Sequence, residues 1–151
     1  MRDKLLVKYD KTIAREIALQ GIYQLLQGQP LEEVLKLEWT DDKEIFEDEL
    51  KYRNKEFIKS FAKKIIEKAE QNLEEIIEII NKHFTKNPET ISTIDKALII
   101  LGITSLKYFK EIPPAVSIDE AVTLAKSFGS TNYMYKVINK ILDSINKNQN
   151  A

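Results

Sequence analysis

The sequence predicts an all-α protein, and three observations carry that expectation. Apolar residues recur at three- and four-residue spacing along most of the chain. No stretch of comparable length alternates apolar and polar residues with period two. Only 4 Gly and 4 Pro occur in 151 residues, too few to punctuate a set of short strands. The length suits one domain over 1–151 with its own hydrophobic core.

The first helix is expected near Asp10 to Gln27. Ile13, Ala14, Ile17, Ala18, Gly21, Ile22 and Leu25 fall on about half of its wheel, at roughly 100° per residue. Glu16, Leu19 and Tyr23 lie outside that arc. Arg15 sits on its edge, where the stem can pack while the guanidinium reaches water. Gly28-Gln29-Pro30 stops this helix. A short amphipathic piece follows around Leu31, Val34 and Leu35, then Trp39. Asp41 and Glu44 have the spacing of an N-terminal cap for another short helix.

The longest periodic segment runs from Asn54 to Phe84, with Ile58, Phe61, Ala62, Ile65, Ala69, Leu73, Ile76, Ile77 and Ile80 in phase and no Gly or Pro inside. Burying each large member contributes about 1.5–3 kcal/mol, enough to anchor a domain. A coiled coil has the same pattern, but the flanking amphipathic segments also need a partner. Asn87-Pro88 breaks the chain. Ser92 and Asp95 form a capping box before Ala97–Ile103, apolar all round; alone that run fits a buried strand as well, and the cap favours a central buried helix. Pro113-Pro114 forces an extended turn. Ser117 and Glu120 make a second capping box, opening a helix whose buried face is Ile118, Ala121, Val122, Ala125 and Phe128, ended by Gly129. The last helix buries Met134, Val137, Ile138, Ile141, Leu142 and Ile145 before a polar tail from Lys147.

Composition narrows function chiefly by exclusion. Without Cys there is neither a disulfide framework nor a thiolate metal site, and the short apolar run after Met1 is no signal peptide, so a cytoplasmic protein without a membrane anchor is expected. The net charge of −1 predicts no polyanion partner, but its distribution is uneven. Arg2, Lys4, Lys8, Lys11 and Arg15 make the first fifteen residues basic, whereas Leu31 to Leu50 is acidic. The plainer alternative is that Lys and Glu coat exposed helix faces.

No catalytic constellation is assembled. The single His83, beside Phe84, has no ligand or carboxylate partner at useful spacing and suits a surface or capping role. Asp41-Asp42 and Glu47-Asp48-Glu49 lack the alternation and Gly of a calcium loop. There is no phosphate-cradling Gly loop and no nucleophile motif. Neither a cofactor nor a metal is expected, and the chain is expected to bind rather than catalyse.

Two segments carry a resemblance. Arg15-Glu16-Ile17-Ala18-Leu19-Gln20-Gly21-Ile22-Tyr23 resembles the Arg-x-x-Ala-x-Gln-x-x-Tyr signature of the first helix in NusB transcription antitermination proteins. Ile118-Asp119-Glu120-Ala121-Val122-Thr123-Leu124-Ala125-Lys126-Ser127-Phe128-Gly129 and Lys136-Val137-Ile138-Asn139-Lys140-Ile141-Leu142-Asp143 are similar to that family's Asn-Glu-Ala-(Val/Ile)-x-Leu-Ala-Lys-x-Phe and Lys-Phe-Val-Asn-Gly-Val-Leu-Asp segments, in the same order. The acidic middle carries no such signature.

The resemblance implies about seven helices in two crosswise three-helix bundles. It implies binding of a boxA-type single-stranded RNA together with ribosomal protein NusE, and action on RNA polymerase in antitermination, chiefly on ribosomal RNA operons. Lys11, Arg15 and Lys136 stand at matching RNA-binding places; Tyr23 and Asp95 match the NusE-contacting surface. Thr12 and Ile13 replace arginines, Val137 replaces a Phe able to stack on a base, and Lys140 replaces a Gly. Ile100 and Ser105 stand where the family usually has Arg and Glu. The depleted arginines motivate a second reading, an interaction module that kept the scaffold and lost specific RNA binding. A third, a ribosomal RNA cytosine methyltransferase, is disfavoured because the chain ends at Ala151, leaving no room for a methyl-transfer domain. Leu19 and Tyr133, as apolar outliers, leave room for a homodimer. The basic amino-terminal region reaches Lys136 only if the first and last helices lie close, as the family fold would place them.

Overall fold

The computed structural model describes residues 4–41, 53–84 and 90–149, with side chains from Tyr9 onward. Among the described residues are seven α-helices, one 3-10 turn and no strand. The helices are α1 (Lys4–Leu26), α2 (Leu31–Val34), α3 (Lys55–Gln71), α4 (Leu73–His83), α5 (Thr93–Tyr108), α6 (Pro114–Phe128) and α7 (Met134–Gln149). The chain divides into two compact units, Met1–Glu70 and Gln71–Ala151.

In the first unit, α1 starts earlier than the wheel predicts. It ends where expected: Gly28 takes a φ of 95°, and the Gly28 and Gln29 N–H groups donate to the Leu25 and Gln24 carbonyls. This is the double closure that a left-handed glycine permits. Leu19, expected outside the apolar arc, is only 1% exposed. Burial of Ala14, Arg15, Ile17, Ala18, Leu19 and Ile22 covers more than half of the helix circumference, so a one-sided wheel underestimates it. Ile66 of α3 packs against Gly21. The 3-10 turn Glu38–Asp41 is tied to α1 by Trp39, whose indole N–H donates to Gln20 Oε1 at 2.6 Å. The expected Asp41–Glu44 cap and the acidic run after it fall on residues 42–52, outside the described residues; Asp41 itself pairs with Lys59 at 3.2 Å.

The uninterrupted helix expected from Asn54 to Phe84 is instead two helices. At Asn72 the backbone departs to φ −115°, ψ 18°, and α4 begins. Asn favours such breaks because its amide competes for nearby backbone groups. The apolar phase continues across the break, from Ala69 to Ile76 and Ile80, so periodicity could not register it. His83, in the last turn of α4, is exposed with Nδ1 2.9 Å from the Ile79 carbonyl, the capping role expected of it. Asn87-Pro88 lies outside the described residues.

In the second unit, α5 is the buried centre: Asp95 and every residue from Ala97 to Leu106 are buried. Helix α5 packs on α4, α6 and α7, and α6 packs on α7. Ser92 caps α5 as expected, its side chain accepting from the Asp95 N–H at 3.3 Å. The cap expected at Ser117 is not formed. Helix α6 opens four residues earlier, with Pro113 as N-cap and Pro114 in the first turn, and Ser117 lies buried inside it. Proline's preset φ and missing N–H suit a first helical turn, so the pair starts the helix rather than holding it off. The buried face of α6 is Ser117, Ala121, Leu124 and Ala125. Phe128, expected inside, is 39% exposed, because it is the last helical residue before the chain turns away. Helix α7 runs on to Gln149 through the expected polar tail, with Lys147 pairing with Asp143 one turn back at 3.1 Å.

Glu75 fastens α4 to α5. Its carboxylate accepts from Lys107 Nζ at 2.9 Å and from the Tyr108 hydroxyl at 2.5 Å. These bonds hold Glu75 below its ordinary pKa, the Tyr108 hydrogen bond contributing most. Burial, and then the bond to Glu75, push the Tyr108 phenol above its ordinary 10.0. A raised folded value means the phenol's contribution is fully present below pH 10.0 and is lost as pH rises toward that value; the Glu75 contribution is lost as pH falls below the ordinary carboxylate range. Urea midpoints measured against pH should therefore fall on the alkaline side above 10.0, and Tyr108→Phe should flatten that limb.

Candidate nucleic-acid interface

A protein that holds single-stranded nucleic acid needs cations for phosphates and aromatic faces for bases. Both occur together in each unit. In the first, Lys11 and Arg15 occupy successive turns of α1 on the side that meets α3. Lys11 Nζ lies 5.9 Å and Arg15 Cζ 5.6 Å from the centroid of the Phe61 ring. Phe57, one turn earlier on α3, stacks on Phe61 at 6.0 Å with an interplanar angle of 16°. Arg53 adds a related pair over Tyr9, at 5.3 Å.

Sequence reasoning put Phe61 in the apolar stripe and attached no significance to Phe57. The structure gives Phe61 a second task, that of seating the two cations, with Phe57 stacked on it. Arg15 differs from expectation: its head does not extend into water, and the residue is 3% exposed. Stacking of the planar guanidinium on a ring favours this seat over solvent. Lys11 is half-buried and pairs with no carboxylate among the described residues.

In the second unit, Lys136 stands exposed in the first turn of α7 between two tyrosines. Its Nζ lies 5.8 Å from the Tyr133 ring centroid and 5.9 Å from that of Tyr135. Lys126, near the end of α6, reaches the Tyr135 ring at 5.1 Å. The tyrosines and Lys126 were not among the residues singled out for RNA. Their signal was present as Tyr-Met-Tyr-Lys at a helix start: a buried Met flanked by rings that cannot both be buried.

Tyr23 is exposed on α1, as a partner contact would require, whereas Asp95 is only 6% exposed. The Asp95 carboxylate accepts from the Ser130 N–H at 2.9 Å and from the Ser130 hydroxyl. It thus pins the α6–α7 connection onto the start of α5. Of the predicted residues, the structure brings Lys11 and Arg15 together on one ring, and places Lys136 with its own aromatic pair in the second unit. Among the described residues no group of three or more His, Cys, Asp or Glu side chains is arranged to hold a metal ion. No helix among them is long and apolar enough to cross a membrane.

Known proteins resemble this chain over most of its length. The model of the NusB family matches residues 12–147. The chain is 36% identical to the transcription antitermination protein NusB of Methylacidiphilum infernorum over 135 residues, covering 88% of this chain and 87% of the relative. It is 33% identical to that of Myxococcus xanthus over 138 residues, covering 88% and 94%. Among solved structures, a chain from the crystal structure of a plectonemic RNA supercoil superposes with a TM-score of 0.76 at 26% identity, covering 93% of this chain and 96% of that one. T. maritima NusB superposes with a TM-score of 0.72 at 28% identity, covering 91% and 90%.

Proposed function

The chain belongs to the NusB family, and on that basis we propose that it is an RNA-binding transcription antitermination factor. It takes a boxA-type single-stranded RNA together with ribosomal protein NusE and acts on RNA polymerase, chiefly in ribosomal RNA transcription. It works as an adaptor and carries out no chemistry of its own. One observation supports this most: at Lys11, Arg15 and Lys136, the positions where the sequence matches the family's RNA-binding places, cationic groups sit within 6 Å of aromatic rings. Phosphate is taken by the Lys11 and Lys136 heads, with Arg15 packed beside Lys11 on the Phe61 ring, while exposed Tyr23 belongs to the NusE side. Asp95 serves that side indirectly, through the Ser130 segment it holds.

Binding of boxA-type RNA is expected to be weak for the chain alone and strengthened by NusE. Arg15→Ala and Lys136→Ala should each weaken it, measured by fluorescence anisotropy of labelled RNA. The burial of Arg15 supports a second reading, an interaction module that keeps NusE and has lost specific RNA binding. Tight NusE association with no gain in RNA affinity would select that reading.

A further inference from the structure

Val137 cannot stack on a base, yet the start of α7 is not without an aromatic face. We infer that Tyr133 is the base-stacking residue of the second unit, with Lys136 beside it to take the neighbouring phosphate; this rests on the RNA-binding function proposed above. Tyr133 is 69% exposed, the most exposed large hydrophobic side chain among the described residues. Among the described residues one cation, Lys136, lies near its ring, whereas Tyr135 is half-buried and has both Lys126 and Lys136 against it. Tyr135 is therefore a positioning residue for the two lysines, and Tyr133 is the ring left open to a ligand. No carboxylate pairs with Lys136 or Lys126 among the described residues, so their charge is available to an anion.

The turn that carries the ring is also held in advance. Thr131 Oγ1 accepts from the Tyr133 N–H at 3.3 Å. Ser130, one residue earlier, is fastened to the Asp95 carboxylate through both its N–H and its hydroxyl. Gly129 lets the chain pass so close that a Cβ there would lie 2.6 Å from the Ala125 carbonyl oxygen and 2.8 Å from Met134 Cβ. Met134, directly after Tyr133, is buried and anchors the turn in the core. An exposed aromatic on an immobilised turn loses little freedom on binding, which favours stacking over adaptive contact. Stacking on a ring tolerates any base, so this residue contributes affinity, and sequence preference comes from elsewhere.

The test uses the full chain and single-stranded RNA oligomers carrying 2-aminopurine at successive positions, with and without NusE. Tyr133→Ala should weaken binding roughly tenfold, within the range of aromatic–base stacking. It should also abolish quenching at one position of the oligomer and leave the salt dependence of affinity unchanged. Tyr133→Phe and Tyr133→Trp should restore both affinity and quenching. Lys136→Ala should instead lower the slope of log affinity against log salt by about 0.7, the signature of one lost phosphate contact. Circular dichroism should show the same fold throughout. Unchanged affinity and quenching in Tyr133→Ala would overturn the inference, as would a Tyr133→Phe defect equal to that of Tyr133→Ala, since that makes the hydroxyl the working group. Loss of self-association without loss of RNA affinity would assign Tyr133 to a contact between copies and equally overturn it. If the unaltered chain binds no RNA even with NusE, the RNA-binding function itself fails, a result distinct from all of these.

Discussion

Asp95→Ala is expected to lower the stability of the chain by about 2–4 kcal/mol, because two hydrogen bonds to a buried carboxylate are lost together. The α5 cap survives the substitution, since Ser92 is satisfied by the backbone N–H of residue 95 rather than by its side chain. What is lost is the tether between α5 and the Ser130 segment that leads into α7. The effect should therefore be larger than removal of an ordinary cap, and it should extend to function. The Tyr133–Lys136 surface depends on that segment for its position, so RNA and NusE affinities should fall even at temperatures where the variant is folded. Asp95→Asn keeps an acceptor for the Ser130 N–H and should lie between the two. Urea unfolding gives the stability difference directly. An Asp95→Ala midpoint equal to that of the unaltered chain would mean the carboxylate does not hold the connection.

The second large effect is expected from Lys11→Ala combined with Lys136→Ala. Each lysine is at least partly exposed, and neither pairs with a carboxylate among the described residues, so the fold should be indifferent to the change. If the chain neutralises about four phosphates, log affinity for a single strand falls with log salt at a slope near −3. Removing two of those contacts should bring the slope close to −1.5 and weaken binding by roughly a hundredfold at low salt. The loss should be nearly the same for every RNA sequence, since phosphate contacts position a strand without reading it. Isothermal titration at several salt concentrations would show it. A slope unchanged in the double variant would remove these lysines from the interface. Arg15 is kept out of this pair because, unlike half-buried Lys11, it is almost wholly buried against Phe61, so Arg15→Ala mixes a packing defect with a charge defect.

The helices were legible in the sequence because burial imposes a period, and a period survives in one dimension. The all-α class follows from it, whereas the stop at Gly28, the Ser92 cap and the helical reading of Ala97 to Ile103 follow from turn and capping residues. Breaks that preserve the phase are invisible by the same token, as at Asn72. Pro113-Pro114 is ambiguous in sequence because a proline pair can end an extended segment or begin a helix, and only the packing of Ser117 into the interior decides between them. Leu19 and Phe128 exchanged places relative to expectation: one lies on a helix buried over most of its girth, the other at a helix end. The site was legible only in part. Lys11, Arg15 and Lys136 came from a motif, but the rings that hold them lie on other elements or in a turn, and no spacing rule links Lys11 to Phe61, fifty residues away. Asp95 was visible as a capping residue and a family match, whereas its hold on Ser130 spans thirty-five residues and is purely tertiary.

The most direct measurement is competition between a boxA-type RNA and its scrambled counterpart for the chain in the presence of NusE, at constant salt. A sequence-reading adaptor should favour the boxA-type strand by at least about 1–3 kcal/mol for each base it reads. Equal binding of the two strands would contradict specific adaptor function and leave only a cationic surface on a helical scaffold.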